Sequence, residues 1–299
     1  MNGFLNILKP PGMTSAAVVA RIKRLTGEKR VGHAGTLDPE AAGILPVMVG
    51  KAARLFDYLV DKEKEYVAEV AFGVSTDTQD ATGKVLERGD NYPSFETVKE
   101  KVHLLEGDIL QRPGIFSAIK KDGRPMYQLA RKGETVEIPP RPVHVESILP
   151  VCEMKDHGVL MTVRCGRGTY IRSICEDLGK LCGCPAHMRF LLRSASGVFD
   201  LKTAMTLEEA AEFAGNGTLG IHILPPDMPL GHMPYTEIRE WAGPMVRSGA
   251  KLPPRAAAAD LPAGTVTRIY LSGQFWGIAE RAEDGFVWRA QIAPEEANL

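Results

Sequence analysis

Asp38 is the residue of this 299-residue chain whose type and surroundings best suit chemistry. It lies in the stretch Gly32-His33-Ala34-Gly35-Thr36-Leu37-Asp38-Pro39-Glu40-Ala41-Ala42-Gly43. Glycines let a backbone bend tightly and approach a ligand closely, and Pro39 fixes the chain directly after the carboxylate. Such a loop presents one side chain at a defined angle, but Asp, Gly and Pro are also common in surface turns. The stretch alone therefore leaves both a nucleophile and a plain turn open.

A second stretch with candidate chemistry is Cys165-Gly166-Arg167-Gly168-Thr169-Tyr170-Ile171-Arg172-Ser173-Ile174. Its glycines end a predicted strand, and apolar residues at helical spacing then predict a helix up to Gly183. Tyr170 and Arg172 thus lie at a strand-to-helix junction, a place where side chains commonly face a cleft.

Hydrophobic spacing and turn residues predict the elements that position these stretches. Strands are predicted at 4–8, 66–73, 143–149, 159–165 and 186–194. Helices are predicted from Thr14 or Ser15 to Gly27, at 97–105, from 171 to Gly183, and from Thr206 to Gly215. Residues 76–83 are typical of a hairpin connection, and 111–142 form a basic, loop-rich excursion with one short helix near 126–132.

The proline-rich segment 224–229 indicates a linker, so we expect one domain over 1–228 and a second over 229–299. Three short strand candidates in the second domain, at 266–271, 275–279 and 286–291, predict a small β-rich module.

The net charge of −1 argues weakly against a nucleic-acid partner, but the charges are unevenly distributed. Basic residues outnumber acidic ones eight to three in 1–54, seven to three in 111–144 and seven to three in 160–202. Acidic residues prevail elsewhere, for example twelve to seven in 203–299. A basic face that binds phosphates is thus compatible with a nearly neutral chain, although solvated helix faces would give the same count.

The composition also bears on location and metals. The start of the chain lacks the regions of a signal peptide, and no apolar run is long enough to cross a bilayer, which predicts a soluble cytoplasmic protein. The five cysteines lack paired metal-ligand spacing, so we expect reduced, mostly buried thiols and no metal site.

Four motifs follow one another along the chain. They are Leu8-Lys9-Pro10-x-Gly12-Met13-Thr14-Ser15; Gly32-His33-x-Gly35-Thr36-Leu37-Asp38-Pro39-x-Ala41-x-Gly43; Tyr66 opening a strand that ends at Gly73, followed by Thr76-Asp77-Thr78-x-Asp80; and Gly168-Thr169-Tyr170-Ile171-Arg172 through Ala186-His187. With these motifs the chain resembles the bacterial tRNA pseudouridine synthase B family over about residues 3 to 200. It departs from the family at Ala42, where threonine is usual, and there we expect only a local packing adjustment.

The resemblance implies an α+β fold of the pseudouridine synthase type, with a central mixed, mainly antiparallel sheet flanked by helices, and a small β-rich, PUA-like C-terminal domain that binds RNA. It also implies the isomerisation of uridine to pseudouridine at position 55 in the T loop of tRNA. The base must leave its N-glycosidic bond, turn and rejoin through carbon. A carboxylate can attack the sugar C1′ or the pyrimidine C6, or remove a sugar proton, and the sequence does not choose among these routes.

In this interpretation Asp38 is the catalytic nucleophile and Arg172 favours its ionised form. The target base must be flipped out, which costs a few kcal/mol, and stacking on an aromatic side chain returns about 1–3 kcal/mol. Tyr66 is the candidate platform, and it is also a candidate to take the C5 proton. The remaining predicted substrate contacts are Tyr170, Leu191 and Arg193 as pocket lining, Asp80 as a support for Arg172 or the base, His33 as a wedge, and Lys9.

No cofactor or metal is expected, because the reaction includes neither a redox step nor a group transfer to a second substrate. The expected partner is the T arm of tRNA, bound by a monomer, with residues 111–142 gripping the RNA and no protein partner required. Two alternatives stay open: a guide-RNA-dependent pseudouridine synthase, and a non-catalytic RNA-binding or tRNA-folding protein.

Overall fold

A computed structural model describes residues 1–59, 62–114, 120–121, 124–125 and 139–294. The strands are β1 (Gly3–Lys9), β2 (Val31–His33), β3 (Ala42–Val49), β4 (Lys64–Phe72), β5 (Val74–Thr76), β6 (Val85–Arg88), β7 (Gly107–Gln111), β8 (Lys120–Lys121), β9 (Arg124–Pro125), β10 (Arg141–Met154), β11 (Gly158–Cys165), β12 (Ala186–Ser196), β13 (Phe199–Asp200), β14 (Tyr235–Glu237), β15 (Val266–Leu271), β16 (Gln274–Ala282) and β17 (Gly285–Gln291).

The α-helices are α1 (Ser15–Thr26), α2 (Phe56–Leu59), α3 (Phe95–Val102), α4 (Ile171–Cys182), α5 (Leu207–Gly215) and α6 (Gly243–Ser248). Short 3₁₀ helices occupy Gly50–Leu55, His103–Leu105, Leu201–Thr203, Leu219–His222, Met228–Leu230, Glu240–Ala242 and Pro254–Ala256. Among the described residues, no helix combines the length and apolar character that a membrane crossing requires. The helix expected near 126–132 lies outside the described residues.

Local sequence signals explain where the predicted helices begin and end. The Thr14 hydroxyl accepts a hydrogen bond from Ala17 N at the start of α1, and Gly27 ends this helix with φ 67°. Thr206 and Glu209 form the reciprocal hydrogen bonds of a capping box at the start of α5. The predicted starts of both helices are confirmed.

The chain divides into two compact units, Met1–Asp61 with Gly197–Leu299, and Lys62–Ser196. In the first unit, β1 pairs antiparallel with β3, and the short strand β2 pairs with the other edge of β3. Side chains alternate across β1, so Leu5 and Ile7 pack with residues of α1 and α5, including Ile22 and Ala210. These contacts bury one face of β1 and β3 beneath two helices.

The opposite face of the same strands packs against the C-terminal strands of the first unit. Phe4 and Ile44 share a hydrophobic cluster with Phe275, Ile278 and Ala290, which lie on β16 and β17. The C-terminal sheet has the order β14-β15-β16-β17, with a parallel β14–β15 pair and antiparallel pairs beyond it. The predicted β-rich module is present.

The segment expected to be a linker is packed. Phe4 and Leu224 exchange backbone hydrogen bonds of 3.0 and 2.8 Å, and both Pro229 and Leu230 are buried. The division at residue 228 stays a prediction, and the chain on either side of it belongs to the same compact unit.

In the second unit, five antiparallel strands follow the order β12-β4-β11-β10-β7. α3 and α4 contact each other and this sheet. β5 and β6 form a separate hairpin, which confirms the hairpin predicted at 76–83. The fold is α+β, and the described strand pairs of this sheet are antiparallel, in agreement with the mainly antiparallel character expected of the mixed sheet.

Candidate active site

Asp38 lies on a loop whose two ends are fixed in a β-hairpin. β2 and β3 are paired through His33 opposite Val47, and Ala34 N donates to Pro46 O over 2.9 Å. Gly35 and Gly43 adopt φ angles of 106° and 117°, which side-chain-bearing residues rarely adopt. Two of the glycines noted in the sequence are thus required by the path of the backbone.

Two buried side chains fasten the residues on either side of Asp38. The Ser15 hydroxyl accepts a hydrogen bond from Leu37 N over 2.9 Å and donates to Leu37 O over 3.1 Å. The Lys9 ammonium donates to Pro39 O over 2.8 Å and to Pro10 O over the same distance. The half-buried Asp38 therefore sits between two tethered neighbours.

These contacts give Lys9 a supporting place under the loop. Its side chain is 0% exposed, and its charge is met by backbone carbonyl oxygens. The substrate contact expected of Lys9 stays a prediction; in the structure its buried ammonium holds the backbone of the loop at Pro39. His33 ends β2 and is half-buried, and Ala42 is the half-buried first residue of β3.

In the second unit, Tyr66, Leu191 and Arg193 are cross-strand neighbours. Tyr66 on β4 is directly opposite Arg193 on β12, and Leu191 is opposite Ala68. Residues two apart on a strand share a face, so the three side chains belong to one face of the sheet. All three are buried, which leaves Tyr66 only 8% exposed.

Tyr170 and Arg172 stand at the start of α4, as the sequence predicted. The side chain of the buried residue Gln111 holds Tyr170 at both backbone groups: Tyr170 N donates to Gln111 Oε1 over 2.7 Å, and Gln111 Nε2 donates to Tyr170 O over 3.0 Å. Arg172 is buried, and its Nη1 donates to Thr78 O over 3.1 Å. The junction is therefore fixed from β7 on one side and from the 76–83 loop on the other.

Asp80 organises that loop from within. Its Oδ1 accepts hydrogen bonds from the Thr78 hydroxyl over 2.7 Å, the Thr82 hydroxyl over 2.6 Å and Thr82 N over 2.9 Å. The sequence suggested that Asp80 supports Arg172 or the base. The described contacts connect it to Arg172 through Thr78, whose hydroxyl bonds Asp80 and whose carbonyl oxygen accepts from Arg172. The supporting role of Asp80 stays a prediction.

The predicted site residues thus form two groups, each assembled within one unit. The first group is Lys9, His33 and Asp38; the second is Tyr66, Asp80, Tyr170, Arg172, Leu191 and Arg193. Sequence reasoning missed Ser15, Gln111 and Thr78 as parts of these groups. Ser15 and Thr78 stand in the first and third motifs but were given no role there beyond helix capping by Ser15, and no spacing pattern connects Gln111 with the residue that it holds.

The sequence predicts reduced, mostly buried cysteines and no metal site, and the described residues bear on both predictions. All five cysteines are free thiols; three are buried, Cys182 is half-buried and Cys152 is exposed. Burial raises the pKa of Cys165 to about 11 and raises that of Cys175 further. In the part of the chain that the structure describes, no group of His, Cys, Asp or Glu side chains is placed to hold a metal ion.

Family models and curated relatives that match this chain all point to one family. Residues 23–171 match the TruB family pseudouridylate synthase (N terminal domain), and residues 172–230 match the tRNA pseudouridylate synthase B C-terminal domain. A tRNA pseudouridine synthase B from Clostridioides difficile (strain 630) is 42% identical over 238 residues, which cover 79% of each chain. One from Geobacter sulfurreducens (strain ATCC 51573 / DSM 12127 / PCA) is 39% identical over 94% of this chain and 93% of its own.

Solved structures show the same fold. A chain of an H/ACA RNP bound to a substrate RNA containing 2′-deoxyuridine superposes with a TM-score of 0.74 and 26% identity, over 98% of this chain and 86% of its own. A chain of a Cbf5-Nop10-Gar1 complex gives a TM-score of 0.72 and 27% identity, over 98% and 84%. With its four ordered motifs and its α+β pseudouridine synthase fold, this chain belongs to the TruB family of tRNA pseudouridine synthases.

Proposed function

We propose that this protein isomerises uridine to pseudouridine at position 55 in the T loop of tRNA, with Asp38 as the nucleophile. The observation that carries the proposal is the tethering of the Asp38 loop at Leu37 and Pro39, in a chain of this family. A carboxylate held between two fixed residues loses little orientational freedom when the substrate binds, and such positioning lowers the barrier of a chemical step.

The reaction requires the base to leave C1′ through N1, to turn, and to return through C5, where a proton is then lost. The Asp38 carboxylate can assist by attacking C1′ or C6, or by removing a sugar proton, and all three routes need it ionised. We assign to Arg172 the role of favouring that ionised form, since a nearby guanidinium stabilises a carboxylate. The buried position of Arg172 at the start of α4 suits a fixed charge.

The flipped base is assigned to the shared face of β4 and β12. Tyr66 stacks on the base and is a candidate to take the C5 proton, while Leu191 and Arg193 line the pocket beside it. Tyr170 closes the pocket from the helix junction, and His33 replaces the base in the T loop. Stacking of about 1–3 kcal/mol offsets the few kcal/mol that flipping requires.

In this proposal the protein acts on tRNA as a monomer, needs no protein partner, and works in the cytoplasm. Residues 111–142 are proposed to grip the RNA, and most of them lie outside the described residues. A second candidate function, guide-RNA-dependent pseudouridylation, is favoured by the likeness to chains solved in H/ACA RNP and Cbf5 complexes.

The purified protein alone, incubated with an unmodified tRNA transcript, distinguishes these functions. Pseudouridine retains a carbodiimide adduct that stops reverse transcriptase, so the product can be mapped to one nucleotide. We expect a single stop at the T-loop uridine with the wild-type protein and none with Asp38→Asn. A product that requires an added guide RNA and partner proteins would favour the second candidate. Specific tRNA binding without product under any of these conditions would favour a non-catalytic RNA-binding protein.

A further inference from the structure

The turn between β11 and α4 leads directly into Tyr170, a residue assigned to the pocket, and its own sequence fixes its path only weakly. It contains Gly166 and Gly168, and Gly168 has a φ of 85° with no atom within 4 Å of where a Cβ would stand. Tyr170 is the N-cap of α4, but its side chain makes no capping hydrogen bond. Since glycines allow a backbone several paths, contacts from outside the turn must help to select the one observed.

Gln111 supplies such a contact from the end of β7. Its side chain is 1% exposed, and its amide bonds both backbone groups of Tyr170, over 2.7 Å at the nitrogen and 3.0 Å at the oxygen. The same Tyr170 oxygen accepts the first hydrogen bond of α4, from Ile174 N over 3.2 Å. An amide side chain offers a donor and an acceptor together, so one residue replaces the pair of bonds that a neighbouring strand would make.

Gln111 is itself held firmly. Its backbone is paired with Arg141 on β10. The carbonyl oxygen of the next residue, Arg112, accepts a hydrogen bond over 3.2 Å from the hydroxyl of Ser173, a buried residue of α4. The amide of Gln111 therefore refers the position of Tyr170 to the same sheet that carries Tyr66.

The chemistry of Gln111 suits this task better than simple filling of the core. A buried amide is costly unless its polar groups are paired, and both atoms of this one are paired with a single residue. An apolar side chain at the end of β7 could fill the same space, but it would leave the backbone of Tyr170 without these partners.

We propose that Gln111 is a positioning residue of the reaction: it fixes the backbone of Tyr170 and thereby sets where the tyrosine ring stands against the reacting base. The inference rests on the proposed function and adds to it a residue that acts only through Tyr170. A displacement of about 1 Å at a site of reaction can cost about a hundredfold in rate. The loss of Gln111 therefore lowers kcat more than it changes KM for tRNA.

The first test compares Gln111→Ala with the wild type in single-turnover and steady-state pseudouridine formation. We expect kcat to fall between about tenfold and a hundredfold, and KM to change by less than about threefold. Rates are measured well below the thermal midpoint of the variant, so that the protein is folded. An unchanged kcat would overturn the proposal, as would a loss confined to KM.

Gln111→Glu keeps the shape of the side chain and adds a pH-dependent readout. An ionised carboxylate accepts from Tyr170 N but has no proton to donate to Tyr170 O, whereas a protonated carboxyl group can make both bonds. The ratio of kcat in Gln111→Glu to kcat in the wild type should therefore rise as the pH is lowered. A ratio that stays low and constant with pH would contradict the role of the paired hydrogen bonds.

A double-mutant cycle shows whether Gln111 acts through Tyr170. Tyr170→Ala removes the ring and keeps the backbone groups that Gln111 bonds. If the role of Gln111 is to place that ring, Gln111→Ala should lower kcat by less than about threefold in the Tyr170→Ala background. Effects that multiply in full would show that Gln111 acts by another route.

Ser94→Ala is the matched control for stability. Ser94 caps α3, a helix that contacts α4, by accepting from Thr97 N over 3.2 Å. Its loss should lower the thermal midpoint and leave kcat unchanged. An equal loss of kcat in Ser94→Ala and Gln111→Ala would show that destabilisation of this unit explains both, and would overturn the proposal.

Amide hydrogen exchange separates this proposal from the proposed function. Exchange of Tyr170 N–H should be faster in Gln111→Ala than in the wild type. If the wild type forms pseudouridine and Gln111→Ala keeps its kcat, the positioning role fails and the proposed function stands. If the wild type forms none, the proposed function fails, and faster exchange in the variant would still show that Gln111 fixes the start of α4; unchanged exchange would refute that as well.

Discussion

Ser15→Ala tests how the Asp38 loop is held, because it removes one hydroxyl group and little else. That hydroxyl makes two hydrogen bonds to the backbone of Leu37, the residue before Asp38, and both Ser15 and Leu37 are buried. Each buried backbone group that loses its partner costs about 1–3 kcal/mol. The free energy of unfolding is therefore expected to fall by about 2 kcal/mol, the lower end for two groups. Helix α1 itself should persist, since alanine favours helices.

The same change should slow catalysis more than it weakens binding. A displacement of about 1 Å in a reacting group can cost about a hundredfold in rate, so we expect kcat to fall between about tenfold and a hundredfold. KM for tRNA should change less than about threefold, since Ser15 is buried beneath the loop. Single-turnover pseudouridine formation, measured well below the thermal midpoint of the variant, gives the rate on folded protein.

Thr14→Ala is the matched control. Thr14 carries the neighbouring hydroxyl, which caps α1 by accepting from Ala17 N over 3.1 Å. Its removal should cost about 1 kcal/mol of stability and leave the Asp38 loop in place. If both variants lost kcat equally, or if Ser15→Ala kept its rate, tethering at Leu37 would not explain how Asp38 is positioned.

Three further predictions concern groups outside the loop. The side chain of Arg164 lowers the pKa of Glu65 below its ordinary value of 4.5. The pair therefore stabilises the fold above pH 4.5, and this contribution is lost as the pH falls through the lowered pKa. In denaturant titrations across this pH range, the free energy of unfolding of Glu65→Gln should depend less on pH than that of the wild type. In the folded protein, iodoacetamide at pH 8 should alkylate the exposed Cys152 and leave Cys165 unmodified, since the pKa of Cys165 is raised to about 11. Mass mapping of the labelled peptides checks this, and labelling of Cys165 before Cys152 would contradict the prediction. Thr206→Ala should lower the free energy of unfolding by about 1 kcal/mol, and an unchanged denaturation midpoint would show that the capping box contributes nothing.

The elements predicted from the sequence are those whose signals are local. The cap Thr14 and the terminal Gly27 bound α1, and the Thr206 capping box marks the start of α5. β3 is not among the strands predicted from the sequence, because a short apolar run fits a strand or a helix equally well and Pro46 lies within it. Pro46 lies opposite Asn6 on β1, and its carbonyl oxygen accepts a hydrogen bond from Ala34 N.

β10 shows a second limit of sequence patterns. The strand was expected at 143–149 and runs from Arg141 to Met154. Its register shifts between Val145 and Ser147 and again between Pro150 and Cys152, and the second half is largely exposed. A β-bulge breaks the period of two on which strand prediction depends.

The sequence singles out candidate site residues where chemistry and local turn residues coincide, as at Asp38 among glycines and Arg172 at a strand-to-helix junction; their roles stay predictions. The support that Ser15 and Gln111 give left no such signal, because each holds a backbone segment far along the chain, 22 and 59 residues away. A single polar side chain that bonds a distant backbone leaves no periodic signal in the sequence.

The central claim is that Asp38 carries the reaction, and tritium release tests it most directly. A tRNA transcript labelled with tritium at C5 of uridine loses the label only when the base rejoins the sugar through C5. The account predicts that wild-type protein releases one tritium per T loop, and that Asp38→Asn binds the same tRNA with a Kd within about threefold and releases none. Release by Asp38→Asn at a rate near that of the wild type would contradict the account.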